Sequence, residues 1–533
     1  MKIGLAQINT ANGDLSGNEK KIRQFLEKAR AEKVDLTIFP ELSLVGYPPR
    51  DFLFQHGFVE QIHQIVQKLA KDFLDLHFIL GGVEKNSNVA FVISGGTIKT
   101  ICKKNLLPNY DVFDERRYFN PGSEPEIVEI SGKKIGVTIC EDIWAQEIQY
   151  YNHDPIQQFK GKALDLVVNL SASPFELHKH KKRINVVSSA AKLLSKSIVY
   201  VNLVGGNDEL IFDGGSFVVN AQGEQVAQAP FFEESFYIHD LENTQPIPFV
   251  DPVDEEKLAK ALTLGFRDFV RKCGFQDVTF GLSGGIDSAL ILLLAVEALG
   301  KDHVFPIFMP SRYTSQASKQ DVSEMINTLQ LQVTLAPITD PLEAYEKSLA
   351  SSFDEELKRL TVENIQSRIR ASILMAFSGQ RNAMVINTGN KTESAVGYCT
   401  LYGDTIGGVA PIADLYKHQV YAVAKYLNQK HQAIPERVFT RAPSAELAPD
   451  QKDSDSIPEY EILDSIVRYY IENNESVQEL VQRGFLQKDV DQAIDLITKS
   501  EFKRRQTAPI LRVSEKAFGT GRRMPIARRQ YDL

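Results

Sequence analysis

Two groups of residues in this chain have the types and spacing that chemistry needs. The first is Gly281-Leu282-Ser283-Gly284-Gly285-Ile286-Asp287-Ser288, set between an apolar run at 278–282 and a helical run at 289–299. That order is strand, glycine-rich turn, helix. Backbone N–H groups in such a turn can close around phosphate oxygens, and the helix N-terminus adds partial positive charge. Paired glycines let the backbone approach a ligand with no Cβ in the way. Asp287 supplies a carboxylate where a phosphate-bound Mg²⁺ would need one. The turn has no lysine of the G-x-x-x-x-G-K-[ST] type and is a different phosphate loop.

The second group is Glu41, Lys104 and Cys140. Glu41 follows the apolar run 36–39, and Cys140 ends the apolar run 135–139. A cysteine becomes a nucleophile at neutral pH when a base or a nearby positive charge assists it. A glutamate can take its proton, and a lysine can stabilise the oxyanion of a tetrahedral intermediate. Each residue alone also has a plainer reading: a small buried hydrophobe, a capping carboxylate, a solvated cation.

These residues must be positioned by an alternation of strands and helices. Strands are expected at 3–8, 36–39, 78–83, 89–93, 135–139, 166–170 and 198–203, with helices at 19–32 and 59–73. Most of the strands are continuous apolar runs, as in sheets buried on both faces. A hairpin-like piece at 215–228 turns at Gln222-Gly223. Residues 244–254 carry Pro246, Pro248 and Pro252 with little periodicity and read as a linker between domains at 1–243 and 255–533. The second half predicts helices at 255–273, 286–299, 316–329 and 362–377. Its strands fall at 278–282, 304–309, 333–337 and 384–387. This is a doubly wound α/β pattern with a parallel sheet. From about 458 the chain reads as mostly helical.

At 533 residues the chain has room for two or more domains. The net charge of −9 argues against a general nucleic-acid surface. The four cysteines, Cys102, Cys140, Cys273 and Cys399, form no C-x-x-C pair, so neither a disulfide framework nor a zinc site is indicated. There is no signal-peptide pattern and no apolar run of membrane-spanning length. A soluble, cytoplasmic protein is the expectation. A basic tail, from Lys503 to Arg529, comes without an aromatic ladder or a nucleic-acid motif.

The S-G-G-x-D-S core resembles the PP-loop of ATP pyrophosphatases, which implies cleavage of ATP to AMP and pyrophosphate. In the first half, Phe39-Pro40-Glu41-Leu42, Lys104-x-x-Leu107-Pro108, Asp114 to Phe119 and Ile139-Cys140-Glu141-Asp142 resemble the nitrilase superfamily in order and spacing. That resemblance implies an α/β/β/α sandwich with a Glu41–Lys104–Cys140 triad, and Glu115 as a further acidic position. Joined in this order, the halves resemble the glutamine-dependent NAD⁺ synthetases over nearly the whole chain. The resemblance implies glutamine hydrolysis in the first domain and passage of ammonia through a tunnel. In the second, Rossmann-like domain it implies amidation of deamido-NAD⁺ through an adenylate.

It also implies site residues. Glutamine would be held by Tyr110, Ser173 and Lys179. ATP would be held by residues 281–288 with Thr388, Lys417 and Ser444. Deamido-NAD⁺ would be held by Asn364, Arg368, Glu393 and Lys503, and Mg²⁺ by Asp287 and Glu393. The implied partners are small molecules and further copies of the chain, with no membrane and no nucleic acid. One departure stands out: ammonia-using relatives carry a lysine where this chain has Leu401. Two other readings are another PP-loop amidotransferase and a nucleotide-binding regulator with degenerate sites.

Overall fold

The computed structural model describes residues 1–148, 151–350, 352, 353 and 355–527. The chain divides into two compact units, Met1–Pro252 and Val253–Leu533.

Among the described residues, the first unit contains two six-stranded sheets. One sheet runs, in spatial order, Ser235–Asp240, Lys2–Gln7, Leu36–Ile38, Phe78–Glu84, Ser87–Ser94, Thr97–Lys103. The other runs Gln225–Gln228, Phe217–Val219, Ser197–Asn202, Leu166–Ser171, Lys133–Ile139, Glu126–Ile130. Period-2 alternation divides each strand between two cores. Ile3, Leu5, Ile38 and Ile79 pack between the sheets against Ile135, Val168 and Val199. Ala6, Phe39 and Leu80 face outward against the helices Leu15–Ala31 and Phe58–Asp72. On the far side, Val167, Ile198 and Tyr200 pack against the helix Lys179–Leu194. The layers are therefore α/β/β/α.

The expected strands and helices of this unit are present, with ends displaced by a few residues. The edge strand Thr97–Lys103 was not expected. Its Thr-Ile-Lys-Thr-Ile-Cys-Lys pattern leaves most side chains at least partly exposed, so it carries no apolar run. It matters because it delivers Lys104.

The second unit has a parallel sheet ordered Thr334–Leu335, Val304–Phe308, Asp277–Gly281, Ala383–Val385. The chain winds outward from Asp277–Gly281, then returns to that strand's other side. This reversal opens a crevice at the carboxyl ends of Asp277–Gly281 and Ala383–Val385, where ligands bind in such sheets. Helices Thr339–Ala350 and Arg359–Arg381 cover one face. The helix Ile286–Leu299, buried along almost its whole length, packs on the other with Asp254–Lys272 and Lys417–His431. The helix beginning at Asp254 takes up the last residue expected in the linker. A helical layer, with Tyr460–Ile471 and Gln487–Lys499, has its own core. Arg528 and Arg529 of the basic tail lie outside the described residues. Among the described residues no helix is long and apolar enough to cross a membrane.

Candidate active sites

In the first unit Lys104 is fully buried, and its ammonium donates to Glu41 Oε1 and to Glu115 Oε1, each at 2.7 Å. A buried cation needs such partners, because desolvation of an isolated charge is costly. Burial works against the charge, but Glu115 and Glu41 override it and hold the Lys104 ammonium well above the usual lysine range. Glu41 is fixed on three sides: Asn88 donates to the same oxygen at 2.7 Å, and the Ala172 N–H to Oε2 at 2.9 Å.

Cys140 sits at the end of the strand Lys133–Ile139 with φ of 44°. A non-glycine residue in this left-handed region carries strain of about 1–3 kcal/mol, which the surroundings must enforce. Asp142 does so. It accepts the Ile139 N–H at 3.0 Å and the Asn105 and Leu106 N–H groups at 2.8 Å, tying the cysteine turn to the segment after Lys104. Burial and the Glu41 charge push the Cys140 thiol up, while Lys104 pulls it down. The resting thiol is therefore neutral and needs a base when it attacks.

Glu115 takes Lys104 and the Tyr47 hydroxyl (2.8 Å) on one oxygen, while its Oε2 is buried without a partner among the described residues. Burial pushes this carboxyl up to about 7 against the pull of Lys104. Lowering the pH through about 7 therefore protonates Glu115 and unbalances the Lys104 charge. Turnover at Cys140 is expected to fall along that acid limb, and Glu115→Gln, permanently neutral, to remain slow with the limb gone. A pH–rate profile of both proteins checks this. The sign for stability is the reverse of an ordinary ion pair. The unfolded chain holds fewer protons between 4.5 and about 7, so this group's contribution to stability declines as pH rises through that window.

Of the residues expected to hold glutamine, Tyr110 and Lys179 meet beside the cysteine. The Tyr110 hydroxyl donates to Glu141 Oε1 at 3.0 Å, the Tyr151 hydroxyl to the same oxygen at 2.8 Å, and the Lys179 charge acts on that carboxylate. The Lys179 ammonium also lies 5.9 Å from the centre of the Phe113 ring. Ser173 is held from behind. Arg183 donates to its hydroxyl (3.1 Å) and its carbonyl (2.8 Å), and pairs with both Asp213 oxygens at 2.7 Å. Arg183 and Asp213 are both buried. Replacing Arg183 with Met strands the Asp213 charge and is expected to destabilise the first unit by about 3–5 kcal/mol. Denaturant unfolding checks this.

In the second unit a cavity of about 350 Å³ opens at the crevice. Gly281, Leu282, Ser283, Gly285, Ile286, Asp287, Ser288, Thr388, Glu393, Lys417 and Ser444 all line it. Gly284 packs away from it: its φ is +88°, and an added Cβ would sit 2.8 Å from the Ser318 carbonyl oxygen. The turn is braced internally, the Ser288 hydroxyl donating to the Gly285 carbonyl at 3.0 Å and accepting the Ser283 N–H at 3.2 Å. The Lys417 ammonium joins Asp287 (2.6 Å) to Glu393 (3.1 Å), and Asn390 donates to the other Asp287 oxygen at 2.9 Å. Glu393 also closes a capping box with Asn390, so its helix-capping and site roles coexist. Burial pushes Glu393 up to about 7, with Lys417 pulling down.

Asn364, Arg368 and Lys503 converge on one segment of the cavity wall. Asn364 accepts the Thr400 hydroxyl at 2.7 Å, Arg368 donates to the Leu401 carbonyl at 3.1 Å, and Lys503 donates to the Gly397 and Cys399 carbonyls, each at 2.8 Å. Tyr398 and Cys399 of that segment line the cavity, as do Ser367 and Arg370 of the helix that carries Asn364 and Arg368. At Leu401 the backbone carbonyl, rather than a side-chain charge, is the polar group in use. Asn88, Arg183 and Asp213 were not singled out from the sequence. Nothing in their local strings distinguishes them from ordinary polar residues. Glu141 and Asp142 lie in the Ile139-Cys140-Glu141-Asp142 motif but carried no expected role.

Fold and sites define a class: a carbon–nitrogen hydrolase unit followed by an ATP-using NAD synthase unit. The family model for carbon-nitrogen hydrolase matches residues 2–247, and that for NAD synthase matches 258–507. A glutamine-dependent NAD(+) synthetase of Synechocystis sp. is 44% identical over 98% of both chains, and one of Acinetobacter baylyi is 40% identical over 98% of both. The solved glutamine-dependent NAD⁺ synthetase of Acinetobacter baumannii, in complex with ADP, is 37% identical, with a TM-score of 0.78 over 98% of each chain. This chain belongs to the glutamine-dependent NAD⁺ synthetases, and it is an enzyme.

Proposed function

We propose that Cys140 removes the side-chain amide nitrogen of glutamine and that the second unit uses it to amidate deamido-NAD⁺. The Glu41 carboxylate takes the thiol proton as sulfur attacks the amide carbon. The Lys104 ammonium, held between two carboxylates, stabilises the oxyanion. Ammonia leaves an acyl-thioester, which water hydrolyses to glutamate. Tyr110, Glu141, Ser173 and Lys179 orient the amino-acid end of glutamine, with Glu141 suited to its ammonium and Lys179 to its carboxylate.

In the second unit the 281–288 turn and Lys417 hold ATP by its phosphates, with Thr388 and Ser444 beside them. The nicotinate carboxylate displaces pyrophosphate to form an adenylate, and ammonia then displaces AMP to give NAD⁺. The segment 397–401, braced by Asn364, Arg368 and Lys503, forms the deamido-NAD⁺ side. Asp287 and Glu393 suit Mg²⁺, which takes one or two carboxylates together with phosphate oxygens. Among the described residues no group of three or more His, Cys, Asp or Glu could hold a metal alone. When bound, the cation would neutralise phosphate charge. A reducing, cytoplasmic setting suits an enzyme with a thiol nucleophile. The homo-oligomer implied by the sequence resemblance is testable by light scattering.

The observation that carries the proposal is the buried Glu41–Lys104–Glu115 cluster at Cys140, on the same chain as the phosphate-loop cavity. The test is incubation with ATP, Mg²⁺, glutamine and deamido-NAD⁺. AMP, pyrophosphate, glutamate and NAD⁺ should form together, and AMP without NAD⁺ would refute the scheme.

A further inference from the structure

Arg441 stands over the glycine-rich turn from a separate segment of the chain. Its Nη2 donates to the Gly284 carbonyl at 3.0 Å, and the residue lines the cavity beside Gly285 and Asp287. Its Nη1 is buried with no hydrogen-bond partner among the described residues. An arginine carries several donors in a planar fork, and a buried unpaired donor is costly unless a ligand completes it.

The surroundings aim this guanidinium. Asp321, fully buried on the helix Gln316–Leu329, lies 2.9 Å from Arg441 Nη2 and 2.5 Å from Arg437 Nε. It holds both by charge, since neither of its oxygens receives an aligned hydrogen bond. The same helix carries Ser318, whose backbone supports Gly284 and whose hydroxyl donates to Glu446 at 2.9 Å. One helix thus registers the turn against the 441–446 segment. The Gly284 carbonyl and the Gly285 N–H belong to one trans peptide and point opposite ways. Drawing the carbonyl toward Arg441 keeps that N–H directed into the turn.

We propose that Arg441 is a second cationic ligand of the ATP polyphosphate, gripping the turn through one nitrogen and a phosphate oxygen through the other. This rests on the reading of the cavity as the ATP site. Lys417 faces two carboxylates, Asp287 and Glu393, whereas Arg441 shares the single Asp321 carboxylate with Arg437, so Arg441 supplies charge that the lysine alone does not.

The test is equilibrium titration of ATP and, separately, of adenosine into the full-length protein and its R441Q and R441K variants. R441Q should weaken ATP about tenfold or more, the worth of a charge-assisted hydrogen bond, and leave adenosine unchanged. R441K, which keeps the charge but loses the fork, should fall between. Equal weakening of both ligands would mean a purely structural residue and overturn the proposal. Unchanged ATP affinity in R441Q would overturn it while leaving the ATP site standing. Failure of the parent protein to bind ATP would remove the ATP site and this proposal together. Should R441Q not fold, R441K alone decides: selective loss of ATP supports the role, and parallel or absent loss overturns it.

Discussion

Cys140→Ala is expected to lower NAD⁺ formation from glutamine by roughly 10⁴-fold or more, the scale of losing a covalent nucleophile, while formation from ammonium salts continues at the parental rate. The thiol sits on a backbone turned to φ of 44° and fixed by Asp142. Alanine tolerates that turn no worse than cysteine does, and it removes only the sulfur. The Glu41–Lys104–Glu115 charges remain paired with one another, so the variant should fold normally. Every residue assigned to ATP and deamido-NAD⁺ lies in the second unit and is untouched. Steady-state NAD⁺ production with each nitrogen source measures the split. Equal loss with both sources would show that the two chemistries are not separable, and the assignment of Cys140 would fall.

Such a variant could have been designed from the sequence, and the reason is physical. Strands buried on both faces write themselves as continuous apolar runs, and the chain's chemistry lies just past their ends. Glu41 follows Leu36–Ile38, Cys140 follows Lys133–Ile139, and the phosphate-binding turn follows Asp277–Gly281. The supporting residues leave no such mark. Arg183 lies in the basic run Lys179-His-Lys-Lys-Arg183, where no residue type marks one cation from the next, yet the fold turns this one arginine inward onto Asp213. Asn88 follows Asn86 and Ser87 just ahead of the expected strand 89–93, and only the sheet's register brings its amide to Glu41. Arg368 was expected against deamido-NAD⁺, yet its partner is the Leu401 carbonyl, a contact that no residue type could reveal. Residues that do the chemistry are bound to strand ends by topology. Residues that hold them depend on contacts between distant segments, which one sequence does not display.

Asp287→Ala is expected to lower NAD⁺ formation from both nitrogen sources by roughly 10²–10³-fold, the scale of removing one preorganised electrostatic group, and to leave glutamine hydrolysis running. In the parent protein the Lys417 ammonium is balanced between Asp287 at 2.6 Å and Glu393 at 3.1 Å, with Asn390 holding Asp287 from the other side. Removing Asp287 deletes one of the two carboxylates suited to Mg²⁺ and leaves Lys417 with Glu393 alone. Asp287 also raises Glu393 by charge repulsion. Without it, Glu393 should ionise at lower pH and draw Lys417 away from the phosphate loop. Asp287→Asn, which keeps the shape and an acceptor for Lys417 but not the charge, separates the two contributions. If charge is what matters, Asn is as slow as Ala. Recovery with Asn would mean that Asp287 works by holding Lys417 in place, and its role as an anionic ligand would be lost.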